Sequence, residues 1–63
     1  MKATDEQLLD SYYFGWEISA DDKPFPNWFK TDLEKRACLL GYTDFDLSIT
    51  RESNEILAEI KKK

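Results

Sequence analysis

Residues 21–31 read DDKPFPNWFKT, two prolines and three large rings lying between two runs of helical spacing. Proline fixes φ and removes a backbone donor, so regular structure stops here. The residue before a proline avoids helical geometry, which makes Lys23 extended and ends the preceding helix near Asp21-Asp22. Thr31-Asp32-Leu33-Glu34 is a capping box that opens the next helix. Two helices joined by a stiff connector of about ten residues form an antiparallel hairpin. That gives the ring area a use. Phe25, Trp28 and Phe29 are expected to fold back and close the open end of the hairpin against Tyr12, Tyr13 and Trp16. The prolines lower the entropic cost of holding the loop there.

Upstream, Thr4-Asp5-Glu6-Gln7 is a first capping box, and its two acids suit the positive end of the helix dipole. Leu8, Leu9, Tyr12, Tyr13, Trp16 and Ala20 follow helical spacing behind it. Phe14 and Ile18 lie a turn apart and fall outside the Leu8–Tyr12–Trp16 line. An ordinary surface helix has one apolar face of about 100°. The wider face predicts two neighbours, the rest of the chain and a second molecule. Gly15 costs up to about 1 kcal/mol relative to alanine, which close approach of another backbone or ring would compensate.

Downstream, Leu33, Ala37 and Leu40 form the inward line of a second helix, with Lys35 and Arg36 outward. Gly41 is a natural left-handed C′ residue that ends this helix. If Gly41 is interior instead, the helix continues through Tyr42 and Phe45. Residues 44–50, DFDLSIT, alternate with a strand period. The alternatives are a strand paired across a dimer axis and an extended linker, and we favour the linker. Thr50 or Ser53 then caps a third helix with Ile56, Leu57 and Ile60 as its apolar stripe. The expected fold is all-α: one domain spanning residues 1–63, a helical hairpin with a Pro/aromatic connector and a third, C-terminal helix. The helices cover about 5–20, 32–41 and 51–61.

A chain of 63 residues makes a single small domain, and such scaffolds need disulfides, a metal, oligomerisation or dense aromatic packing. Cys38 is the only cysteine, which excludes an internal disulfide and fits a reducing compartment. No histidine is present to accompany that thiol at a zinc site. Aromatic packing, with nine rings, and self-association are left. No stretch approaches the roughly 20 apolar residues of a membrane span, and MKATDEQLL has no signal-peptide core, so a cytoplasmic protein is expected.

Net charge is −4, unevenly spread: residues 1–34 carry eight acids against three lysines, and residues 35–63 six bases against five acids. Direct nucleic-acid binding wants a basic stripe, and only Lys61-Lys62-Lys63 resembles one. Those lysines are read as complementing a helix C-terminus.

Little in the chain suggests chemistry. No histidine can act as a base near neutral pH, and no glycine-rich loop can cradle a phosphate. Cys38 reads as a small buried apolar residue. The stretch Asp44-x-Asp46-x-Ser48-x-Thr50-x-Glu52-x-x-Glu55 resembles an EF-hand calcium loop, but Ile49 stands where that motif needs glycine. We expect no catalytic residues, no cofactor and no metal.

Gly15-Trp16, then Pro26-Asn27-Trp28-Phe29, then Ala37, and Gly41-Tyr42 with Asp44 resemble the ribosome modulation factor type of small helical-hairpin protein. The resemblance covers about half of the chain and implies a hairpin and a ribosome- or nucleic-acid-associated regulator. The acidic balance separates this chain from basic members that sit on RNA, since phosphate repels net negative charge. Size and acidity also resemble the small accessory proteins of lambdoid phage early regions. That likeness implies modulation of a host protein by binding. The leading expectation is therefore a non-enzymatic helical interaction protein, a homodimer or bound to a protein partner, with Phe14, Ile18, Trp28 and Phe29 as partner-binding residues. The alternative is the ribosome- or nucleic-acid-associated regulator. An acidic DNA mimic and a calcium-responsive module stand behind both.

Overall fold

Thr4 starts the first helix as its residues dictate. Its Oγ1 accepts the Gln7 amide at 3.1 Å, and its own amide donates to Gln7 Oε1 at 2.8 Å. The computed structural model describes residues 3–62. Its elements are α1 (Asp5–Ala20), α2 (Asp32–Leu47) and α3 (Ser53–Lys61), with no strand among the described residues. The hairpin with a third helix is thus the fold, and α1 has the expected bounds.

α1 ends in a Schellman motif. The Lys23 amide donates to the Ile18 carbonyl at 2.8 Å and the Asp22 amide to that of Ser19 at 3.2 Å, with Asp22 in left-handed geometry at φ 57°. The extended chain before Pro24 follows. At α2 the Thr31 hydroxyl accepts the Glu34 amide at 3.1 Å, but it donates its own proton to Glu34 Oε1 at 2.9 Å. The reciprocal half of the expected capping box is therefore replaced by a side-chain bond.

α2 does not stop at Gly41. It runs six residues further to Leu47, so the alternating stretch at residues 44–47 is helical and neither strand nor linker. The stop is Ser48, left-handed at φ 58°, closed by the Ile49 amide on the Asp44 carbonyl at 2.8 Å. The physical reason lies on α1. Gly41 is helical and buried because α1 passes directly over it. A Cβ there would overlap the Tyr12 carbonyl oxygen, and a Cβ on Gly15 would overlap that of Cys38. The close approach expected for Gly15 is therefore backbone on backbone, and both glycines share it.

α3 begins later than expected, at Ser53, and its N-cap is Glu52 in place of Thr50 or Ser53. The Glu52 amide donates to Glu55 Oε1 at 3.2 Å. Ile56 and Ile60 enter the core with Leu8, Tyr12 and Ala37, and Leu9, Trp16, Leu33, Leu40 and Leu57 pack around them. Three polar ties hold α3 in place. Arg51 pairs with Asp44, and Lys61 Nζ lies 2.6 Å from Asp5 Oδ1. Arg36 donates to the carbonyls of Ile60 and Lys62 at 3.0 and 2.8 Å, so the terminal carbonyls of α3 are satisfied by an arginine of α2. Of the three C-terminal lysines expected at that helix end, Lys63 lies outside the described residues, and Lys61 reaches across to α1.

Candidate functional site

The connector rings settle elsewhere than on Tyr12, Tyr13 and Trp16. Trp28 stacks on Phe29 with centroids 5.1 Å apart and leans on Phe14 of α1 at 5.7 Å. Phe25 meets Phe29 at 5.9 Å and stands edge-on to Tyr42 of α2 at 5.9 Å. Trp16 is occupied by Tyr12 at 6.4 Å and by Phe45 at 5.3 Å, a partner supplied by the longer α2. The wide apolar face of α1 is thereby explained within the chain. Phe14 is half-buried against Trp28 of the connector, and Ile18 is buried at 6% exposure. Ile18 is therefore not on the exposed face expected for a partner-binding residue.

Trp28 remains open, with 65% of its surface exposed although both of its neighbours are half-buried rings. Beside it runs a groove of about 490 Å³ between α1, the connector and the first turn of α2. Phe14, Trp28 and Phe29 form its apolar wall, and Asp10, Ser11 and Glu34 supply polar groups along it. Three of the four expected partner-binding residues thus share one concave surface. Asp10 and Glu34 were missed by sequence reading, because helix-surface acids look alike until a fold places them beside rings. A second groove, of about 440 Å³, lies between α2 and α3 and involves Leu39, Leu40 and Thr43.

The buried polar cluster of the protein is separate from both grooves. Asp44 is 1% exposed. Its Oδ2 accepts the Tyr12 hydroxyl at 2.6 Å and Arg51 Nε at 2.8 Å, and its Oδ1 lies 3.4 Å from Arg51 Nη2. Burial, and then the Asp44 carboxylate, push the Tyr12 phenol well above its usual value. The same carboxylate raises Arg51 further, so that side chain stays charged. A buried carboxylate with both a charged and a neutral donor has its acceptor capacity used inside the fold. The acids of the calcium-like stretch are engaged otherwise in this structure: Asp44 and Asp46 belong to α2, Asp44 is held by Arg51, and Glu55 accepts the Glu52 amide.

Cys38 is fully buried at the helix crossing, and burial pushes its thiol up to about 11. Nucleophilic cysteines have the opposite shift. Among the described residues no buried side-chain nitrogen or oxygen lacks a hydrogen-bond partner, and no three metal-ligating side chains converge. None of the described helices is long and apolar enough to cross a membrane. No family model, curated protein or solved structure matches this chain.

Proposed function

We propose that this chain acts by binding, as a small helical interaction protein that modulates a protein partner by covering part of its surface. The observation that carries this reading is Trp28, 65% exposed on a connector stiffened by Pro24 and Pro26 and backed by Phe14 and Phe29. A large ring held rigid in the open suits an interface anchor, since tryptophan is among the residues that dominate binding energy. The test is affinity capture from lysate with the natural chain and with Trp28→Ser. The reading expects partners held by the first and released by the second. Identical capture by both chains, with circular dichroism showing both folded, would overturn it.

A second observation favours self-association through a different surface. Leu39 and Leu47 lie two turns apart on α2, 50% and 60% exposed. One apolar stripe meeting its own copy forms an isologous interface. Sedimentation equilibrium should then show a dimer that Leu39→Lys with Leu47→Lys converts to monomer. A monomeric natural chain at high micromolar concentration would exclude it.

A further inference from the structure

We propose that the groove beside Trp28 takes a basic, apolar peptide segment of the partner. One aliphatic or aromatic side chain would rest on the Phe14–Trp28–Phe29 rings, and an arginine or lysine would lie against Asp10 and Glu34. The inference rests on the reading of Trp28 as a partner anchor and adds the chemistry of what it anchors.

Three observations converge on this occupant. The groove has an apolar wall and a volume of about 490 Å³, room for a few side chains of an extended or helical segment. Its acids are available. Among the described residues Asp10 makes no ion pair, and only Oε1 of Glu34 is engaged, by the Thr31 hydroxyl. Among the described residues along the same walls Lys30 is the single base, against the carboxylates of Asp10 and Glu34. The groove is built from Ala3 to Glu34, and in sequence residues 1–34 carry most of the negative charge, eight acids against three lysines. Complementary charge steers encounter and fixes register, while the ring contact supplies the anchor. An arginine guanidinium lying over an indole face gains cation–π attraction besides. A nucleic-acid strand could stack on the same rings, but its phosphates would face this acidic segment.

The test is a ¹H–¹⁵N titration of the full-length protein with three synthetic 12-residue peptides: alternating arginine and leucine, alternating glutamate and leucine, and oligolysine. A fourth titrant is a single-stranded oligonucleotide of similar length. The arginine–leucine peptide should shift the amides of Asp10 and Phe14 and the Trp28 indole. Its affinity should fall at least tenfold in Trp28→Ser and severalfold in Asp10→Asn with Glu34→Gln. Equal binding of oligolysine, of the glutamate peptide or of the oligonucleotide would overturn the proposal, as would shifts confined to α2 and α3. The general reading fails separately. Trp28-dependent capture of a partner whose bound segment is neutral or acidic overturns the proposal and leaves the anchor standing, whereas capture indifferent to Trp28 removes both.

Discussion

Both glycines of the chain sit at the α1–α2 crossing, and neither has positive φ. Each helix offers a carbonyl and, three residues on, a glycine: Tyr12 and Gly15 on α1, Cys38 and Gly41 on α2. Antiparallel pairing then sets each glycine on the other helix's carbonyl. Alanine is the better helix former by up to about 1 kcal/mol. Here the steric term wins, since a Cβ would overlap backbone that cannot rotate aside. Gly15→Ala and Gly41→Ala should each lower stability by about 3 kcal/mol, at the upper end of overpacking costs, seen as a reduced urea midpoint. An unchanged or raised midpoint would show that the helices separate freely. With the glycines at the crossing, the left-handed positions fall to Asp22 and Ser48, at φ 57° and 58°. An ordinary side chain is disfavoured there by roughly 1 kcal/mol or more, less for aspartate. Ser48→Gly should therefore raise stability by about 0.5–1 kcal/mol, and Asp22→Gly by less. Thermal melts of the two variants check the sign, and a lower melting temperature for Ser48→Gly would contradict it.

At the scale of elements, α1 was legible because both its signals are local: a capping box within four residues and a pre-proline stop. α2 was legible only as the alternative, with Gly41 interior and the helix running on through Phe45, because its end depends on partners far away in sequence. Asp44 reads as a loop acid until Tyr12 and Arg51 surround it. Phe45 reads as one beat of a strand until Trp16 meets it edge-on. Gly41 was read through its conformational freedom when its lack of a side chain mattered. The same logic hid the groove, since Thr31, Glu34 and Asp10 carry no sign of their neighbours. The ties of α3 differ in weight for a similar reason. Lys61 and Asp5 are 50% and 60% exposed, so solvent screens their pair. Arg51 serves a carboxylate that is 1% exposed. Arg51→Met keeps the apolar stem and strands that charge, at a cost of about 3 kcal/mol for breaking a buried pair. Lys61→Ala should cost at most about 0.5 kcal/mol. Urea titrations of the two variants that coincide would refute this ranking.

At the scale of the whole molecule, a Cα radius of gyration of 10.7 Å matches the roughly 10.6 Å expected for a compact chain of this length. Such a body buries few groups, so the protonation of single buried side chains should show in its global stability. Cys38 and Tyr12 both lie within the α1–α2 contact, and burial raises the thiol to about 11 and the phenol further. In the unfolded chain a thiol ionises near about 8.5 and a phenol near about 10. Between those values and the folded ones, the unfolded state binds fewer protons, and stability falls as pH rises. Below about pH 8 both groups are protonated in either state, and neither contributes a slope. The urea midpoint should therefore be flat with respect to these groups up to about pH 8 and decline from about pH 8.5, with Cys38 responsible first. Arg51, raised by Asp44, stays charged throughout, so the buried pair persists across this window. Cys38→Ala will shift the absolute stability through lost packing, but it should also delay the onset of the decline to about pH 10, where the phenol takes over. Midpoints recorded from pH 7 to 10.5 on both chains separate the two effects. The onset is the decisive quantity: if the natural chain and Cys38→Ala begin to decline at the same pH, the thiol is not held protonated at the helix crossing.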